Sequence, residues 1–146
     1  SKFRLQHASD EQWAHFQNIL TEGKAHREKT GESLMVGRWD IVPIPEHLRG
    51  HMGKNVLMEF PAETAQSMYD FRANDVIADI SPRPVLLFHA ADDSVTPTDQ
   101  SLQLFAHAKQ PCDLILASDV DHFPFSLDST RARDAVKGWL DVYFPA

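Results

Sequence analysis

Two acidic motifs in the second half of the sequence carry residue types that can do chemistry. Residues 89–97 read HAADDSVTP, and further on Asp121 and His122 stand in the sequence DHF. Asp93 and His122, 29 positions apart, form a candidate carboxylate–imidazole pair. In such a pair the carboxylate fixes the imidazole tautomer and stabilises the imidazolium that forms when the histidine takes a nucleophile's proton. The pattern therefore predicts general acid–base chemistry.

Each motif follows an apolar segment that is typical of a buried strand. Residues 85–88 (VLLF) form a continuous apolar run, which predicts a parallel strand buried on both faces, and residues 113–117 (DLILA) predict a second strand. Between them, Thr96 as N-cap and Pro97 in the first helical position predict a helix, and residues 128–143 predict a last helix. This βαβα order would place both motifs at the carboxyl ends of parallel strands, where open α/β sheets bind ligands.

The first half of the chain has a helical and then an irregular pattern. Ser9 and Gln12 have the spacing of a capping box, and the helix that they begin should end near Gly31. Its apolar face is predicted from four residues at helical spacing: Trp13, Phe16, Ile19 and Leu20. Residues 31–61 are broken by proline and glycine and predict an irregular flap. Residues 62–71 predict a short helix, with Asn74 as the cap of a further turn, and the inward side chains of that short helix are Ala65, Met68 and Tyr69.

Two parallel strands alone make an incomplete sheet. Each would keep an unpaired edge, and the apolar faces would be only partly covered. Residues 1–84 contain no other segment that we predict as a strand. We therefore expect polypeptide outside these 146 residues to complete the sheet.

These segments resemble the acid and histidine region of α/β-hydrolases. The resemblance is carried by residues 71–76, 80–86, 91–97 and 121–123, and it is greatest to the dienelactone-hydrolase and acyl-peptidase-like branch. In that family the acid stands four residues before the proline of the turn, which selects Asp93 over Asp92. Asp92 is then expected to stabilise the turn and Asp121 to shape the histidine loop. Ala90 departs from the family, which usually has glycine there.

The resemblance implies an α/β fold class, the C-terminal portion of an α/β-hydrolase. Residues 1–70 would be a cap or lid segment, and residues 71–146 would be the βαβα part of the core that bears the acid and the histidine. The implied activity is serine-type hydrolysis of an ester, thioester, lactone or amide through an acyl-enzyme, with Asp93 and His122 as catalytic residues. The implied partners are a small-molecule acyl substrate and a companion chain that carries the first six strands and the nucleophile. Proteolytic processing of a precursor into such a heterodimer would explain a chain that starts at Ser1.

No residue of this sequence fits the nucleophile position of that family. The G-x-S-x-G turn that presents the serine is absent, and residues 31–35 (GESLM) lack the second glycine and follow a predicted helix. Cys112 begins a predicted strand, so we expect a small buried side chain there. An N-terminal nucleophile at Ser1 would require a different active-site architecture.

Composition excludes several other classes of function. A formal net charge of −7 disfavours nucleic-acid and anionic-membrane binding, and no apolar run approaches the roughly 18 residues of a membrane-spanning helix. One cysteine provides neither a disulfide nor a thiolate zinc site. His47 and His51 are four apart but lack the glutamate of a metalloprotease helix. We predict no cofactor, no metal and a cytoplasmic location.

Two other functions are compatible with the same residues. One is hydrolysis of a carbon–carbon bond by the same triad, which these residues do not distinguish from ester or amide hydrolysis. The chain is also compatible with a non-catalytic binding subunit that retains the fold.

Overall fold

A computed structural model of the chain describes residues 9–53, 55–125 and 130–145. The chain divides into Ser1–Phe71 and Arg72–Ala146, which we call the first and second units. The elements of the first unit are α1 (Asp10–Thr30), β1 (Met35–Gly37), α2 (Arg38–Ile41), α3 (Glu46–Arg49), β2 (Glu59–Pro61) and α4 (Ala62–Asp70). Those of the second unit are α5 (Ala73–Val76), a 3₁₀ turn (Ile77–Ile80), β3 (Val85–Ala90), α6 (Asp99–His107), β4 (Cys112–Ala117) and α7 (Arg131–Tyr143).

Both predicted ends of α1 are confirmed. The Gln12 backbone N–H donates to Ser9 Oγ at 3.1 Å, which satisfies one of the free amides of the first turn. Gly31 ends the helix with φ of 78°, and its N–H donates to the Arg27 carbonyl at 2.9 Å. A residue with a Cβ atom is strained in that left-handed conformation, so glycine suits the position.

The core of the first unit lies between α1 and α4. It consists of five buried residues: Phe16, Ile19, Ile41, Ala62 and Ala65. The Phe16 ring, which is fully buried, lies 5.6 Å from the Trp13 ring and 6.1 Å from the Tyr69 ring, centroid to centroid. This cluster confirms the predicted apolar face of α1.

The prediction that Met68 of α4 faces inward is wrong. Met68 is 39% exposed, whereas Ala65 is fully buried and Tyr69 packs against the core. Ala62, Ala65 and Tyr69 form one stripe at helical spacing that faces α1, and Met68 lies beside that stripe.

The region predicted as an irregular flap contains a small sheet. Strands β1 and β2 pair antiparallel, from Met35 opposite Pro61 to Gly37 opposite Glu59. Each strand has three residues, which is too short for an alternating pattern to be recognised in the sequence. The statement that residues 1–84 contain no strand is therefore wrong, although these two strands pair with each other and form a sheet separate from that of β3 and β4.

The second unit is built on the parallel pair that the sequence predicts. Strand β3 pairs with β4 in six steps, from Val85 opposite Cys112 to Ala90 opposite Ala117, and α6 connects them. Among the described residues the two strands are each other's only partners. The sequence predicted that both faces of β3 are buried. In the described chain the apolar run at residues 85–88 is only partly buried, so this prediction is not met within the described residues.

Three predicted helix boundaries differ from the structure or fall outside its description. Helix α6 begins at Asp99, because Thr96 belongs to the turn that holds Asp93 and Thr98 takes the N-cap position. Asn74 lies inside α5 and does not cap it, since Arg72 precedes the helix. The predicted start of the last helix, Asp128, lies outside the described residues.

Helix α7 is joined to β4 by a side-chain hydrogen bond. The Trp139 indole Nε1–H donates to Asp113 Oδ2 at 2.9 Å, and Ala132 is fully buried. This contact holds the C-terminal helix against the strand that leads to the histidine loop.

Candidate active site

The turn after β3 holds Asp93 through its own backbone. Asp93 Oδ1 accepts the N–H groups of Val95 at 2.8 Å and Thr96 at 2.7 Å, and the side chain is 4% exposed. The Thr98 hydroxyl donates back to the Ala90 carbonyl at 3.2 Å, which closes the turn onto the strand end. The two backbone donors fix the position of this carboxylate.

The structure brings Asp93 and His122 together, as the spacing predicts. His122 Nδ1 lies 3.0 Å from Asp93 Oδ2 and 3.1 Å from Oδ1. Because carboxylate oxygens can only accept, this contact places a proton on Nδ1 and leaves Nε2 able to accept one. His122 is more exposed than its partner, at 22% against 4%, and no hydrogen-bond partner of Nε2 lies among the described residues. The imidazole is therefore anchored to the acid through Nδ1, and its side chain is partly exposed.

Asp121 joins the histidine loop to the acid turn. Its Oδ1 accepts the Ser94 N–H at 2.9 Å and the His122 N–H at 2.7 Å, and its Oδ2 accepts the Ser94 hydroxyl at 2.8 Å. Burial alone would raise the pKa of this carboxyl, but the hydrogen bonds from Ser94 and His122 hold the pKa below its ordinary value. Asp121 therefore has the contacts expected of a residue that shapes the loop.

The neighbouring carboxylate does not take part in this contact. Asp92 lies in the turn with an exposed side chain, whereas Asp93 makes the contact with His122. Of these two carboxylates, Asp93 is therefore the one that contacts His122.

The alternative nucleophiles have other surroundings. Ser33 lies in the first unit, where the Arg27 guanidinium donates to its hydroxyl at 3.0 Å and the hydroxyl donates to Glu63 at 3.3 Å. Cys112 is 4% exposed, and burial, with a smaller effect from Asp113, raises the pKa of its thiol. A buried thiol with a raised pKa is a poor nucleophile. Ser1 lies outside the described residues.

A second histidine lies at this site. His89, at the end of β3, is buried, and its Nε2 lies 3.2 Å from Asp93 Oδ2. The one sequence feature that could have indicated its presence at the site is its position directly after the predicted strand at residues 85–88. The aromatic residues of the histidine loop divide between two roles, since the Phe123 ring packs edge-on against His122 at 4.9 Å and the Phe125 ring lies 5.6 Å from Phe88.

Metal and membrane features are absent from the part of the chain that the structure describes. Residues 9–53, 55–125 and 130–145 contain no cluster of three metal-ligating side chains. No helix in these ranges is long and apolar enough to cross a membrane.

Two solved structures have a similar fold. The α/β hydrolase GrgF from Penicillium sp. sh18 superposes with a TM-score of 0.62 at 20% identity, and the hypothetical protein PA2218 from Pseudomonas aeruginosa with 0.61 at 19%. The chain has part of an α/β-hydrolase fold. The superpositions cover 90% and 93% of this chain but 48% and 46% of the two neighbours. The chain therefore spans about half the length of these proteins.

Sequence comparison adds a partial match. Over 52 residues, or 36% of this chain, the sequence is 40% identical to the uncharacterized protein YfhR of Escherichia coli strain K12 and of strain O157:H7. The matched segment is 18% of the length of YfhR. No protein-family model matches the chain.

Proposed function

We propose that this chain supplies the acid and the base of a serine-type α/β-hydrolase that acts on an ester, thioester, lactone or amide. The observation that carries the proposal is the contact of 3.0 Å between His122 Nδ1 and Asp93 Oδ2, beyond the carboxyl ends of two paired parallel strands. A buried carboxylate behind a more exposed imidazole is the arrangement that a general base requires.

In the proposed reaction His122 transfers protons through Nε2. This nitrogen takes the proton of a serine hydroxyl while the serine oxygen bonds to the acyl carbon, and Asp93 stabilises the imidazolium that forms. The imidazolium then gives the proton to the leaving group, whose bond to the acyl carbon breaks. In the second half His122 deprotonates a water molecule that attacks the acyl-enzyme, and the serine recovers its proton.

The serine and the oxyanion hole come, in this proposal, from a companion chain. Support comes from the two-stranded sheet of β3 and β4, whose apolar run at residues 85–88 is only partly buried in the described chain. The superpositions on proteins about twice as long are also consistent with a missing half of the sheet. We further propose that the first unit acts as a cap over the substrate. The dienelactone-hydrolase and acyl-peptidase-like branch is the subgroup that the motif favours.

Two matched substitutions test the catalytic pair. Asp93→Asn keeps the size of the side chain but removes the charge that stabilises the imidazolium, so kcat for an activated ester should fall roughly a thousandfold or more. Asp92→Asn makes the same chemical change at the exposed neighbour and should alter kcat by less than about twofold. Unchanged turnover in Asp93→Asn and in His122→Ala would contradict the catalytic proposal and favour a binding subunit.

A fluorophosphonate probe with intact-mass analysis tests the companion chain. Label on a second polypeptide that copurifies with this chain is the expected result. Label on a longer polypeptide that contains this sequence would contradict the companion chain but retain the hydrolase. An active assembly that takes up no label would contradict a serine nucleophile.

A further inference from the structure

The acid of the candidate pair lies between two histidines. On one side is His122, and on the other is His89, whose side chain is 10% exposed at the end of β3. His89 Nε2 lies 3.2 Å from Asp93 Oδ2 and 3.1 Å from the Thr96 carbonyl oxygen. The Nδ1 atom of His89 contacts the Ser101 hydroxyl on α6. A second imidazole against the same carboxylate is a feature that the catalytic pair does not itself require.

The partners of His89 define its tautomer. The two oxygen atoms near Nε2, from a carboxylate and a backbone carbonyl, only accept hydrogen bonds, so Nε2 carries a hydrogen. With Nε2 donating to the Thr96 carbonyl, Nδ1 can accept a hydrogen bond from the Ser101 hydroxyl. Both ring nitrogens of His89 therefore have a partner in the tautomer that presents N–H to the acid turn.

His89 also closes the turn that carries the acid. The Thr96 N–H donates to Asp93 Oδ1 at 2.7 Å, and the Thr96 carbonyl accepts from His89 at 3.1 Å. Both backbone polar groups of Thr96, its N–H and its carbonyl, are therefore hydrogen-bonded. Oδ1 of Asp93 is thus bound by the backbone amides of the turn, and Oδ2 lies 3.2 Å from His89 Nε2 on one side and 3.0 Å from His122 Nδ1 on the other.

We infer that His89 is a positioning residue, which holds the Asp93 carboxylate and its turn in the orientation that His122 needs. The inference rests on the proposed function. His89 acts only through Asp93, and its effect should therefore appear in kcat and in the His122–Asp93 contact, with little effect on substrate binding. Misplacement of a catalytic group by about 1 Å can lower the rate about a hundredfold, so a moderate loss of turnover is expected.

A glutamine and asparagine pair separates positioning from simple packing. In His89→Gln the side-chain amide NH₂ can lie near the position of Nε2 and still donate to the Thr96 carbonyl. In His89→Asn the amide is too short to reach that carbonyl, although it has the same chemistry. We expect kcat of the active assembly to fall about tenfold or more in His89→Asn and within about threefold in His89→Gln, with KM within about twofold in both.

A spectroscopic readout accompanies the kinetics. The His122 Nδ1–H proton, enclosed by the Asp93 carboxylate, should give a slowly exchanging downfield proton resonance in the wild type. The signal should be retained in His89→Gln and should broaden or exchange faster in His89→Asn. His107→Asn, which alters an exposed histidine at the end of α6, is the control and should change neither measurement.

The outcomes distinguish this inference from the proposed function. Equal losses of kcat in His89→Gln and His89→Asn, or no loss in either, would overturn the positioning role of His89. The proposed function would still stand in that case if Asp93→Asn lost its activity. An assembly without hydrolase activity would overturn the proposed function, and the His122 resonance would still report on His89. If the asparagine variant does not fold, Ser101→Ala serves as the second test. It removes the hydroxyl that holds His89 Nδ1 and should lower kcat about two- to fivefold, so an unchanged kcat and resonance would contradict the inference.

Discussion

Replacing Asp121 with asparagine separates the charge of this carboxylate from its shape. The carboxylate accepts three hydrogen bonds, from the Ser94 N–H and hydroxyl and from the His122 N–H, at 2.7 to 2.9 Å. An asparagine can keep Oδ1 as acceptor for both backbone N–H groups, and its amide NH₂ can donate to the Ser94 oxygen. Asp121→Ala removes every acceptor and leaves two backbone donors without their partner.

The magnitude follows from the number and type of these hydrogen bonds. A hydrogen bond to a charged group contributes about 1.5 to 3 kcal/mol and a neutral one about 0.5 to 1.5 kcal/mol. Replacing the charged partner by a neutral one in all three hydrogen bonds would therefore cost roughly 3 kcal/mol at a fully buried site. Asp121 is only partly buried, and water screens part of the difference. We therefore expect about 1 to 2 kcal/mol of destabilisation for Asp121→Asn and about 2 to 4 kcal/mol for Asp121→Ala at pH 7.

The pH dependence has a defined sign. The pKa of Asp121 in the folded protein is below its ordinary value of 3.8, because the hydrogen bonds from Ser94 and His122 outweigh the effect of burial. A group with a lowered pKa stabilises the fold above the unfolded pKa, and this stabilisation is lost as the pH falls towards the folded pKa. The difference in unfolding free energy between wild type and Asp121→Asn should therefore be constant from pH 7 to pH 5 and shrink below about pH 4.

Urea unfolding followed by circular dichroism at several pH values measures this difference. Asp92→Asn is the control, because it removes the same charge from an exposed carboxylate of the neighbouring turn. A destabilisation that is equal in the two variants, or one that is independent of pH down to pH 3, would refute the assignment of the effect to the hydrogen-bonded charge of Asp121.

Two further predictions concern the first and the second unit. A Cβ atom on Gly23 would overlap Ala62 Cβ where α1 meets α4, so Gly23→Ala should destabilise the first unit by about 1 kcal/mol despite the better helix propensity of alanine. Gly50→Ala is the matched control in thermal unfolding: φ is −64° and no neighbour is within 4 Å, so its expected effect is neutral or stabilising by about 0.5 kcal/mol. Equal destabilisation by both changes would contradict the close contact. In the second unit, Cys112 is buried and the pKa of its thiol is raised. A disulfide reagent at pH 8 should therefore modify it about a hundredfold more slowly in the native protein than in urea. Fast labelling of the native protein would contradict the burial of this thiol in β4.

Local interactions made several features predictable from the sequence alone. The N-terminus of α1 depends on Ser9 and Gln12 within one turn, and its C-terminus depends on a single glycine at residue 31. The apolar runs predicted β3 and β4, and the resemblance to α/β-hydrolases favoured Asp93, four residues before Pro97, over Asp92. These features are set by residues a few positions apart, so the sequence displays them directly.

The tertiary structure decided the features that depend on distant residues. Strands β1 and β2 are three residues long and exist because they pair across more than twenty residues of chain, which no local pattern shows. Helix α6 begins at Asp99 and not directly after Thr96, because the Thr96 N–H donates to the Asp93 carboxylate and Thr96 belongs to the acid turn. The sequence predicted that Asp93 and His122 would meet, because each follows a predicted parallel strand, and the structure places them 3.0 Å apart. Only the fold showed that the acid also contacts His89, because that contact depends on how the turn after β3 folds back on the strand end.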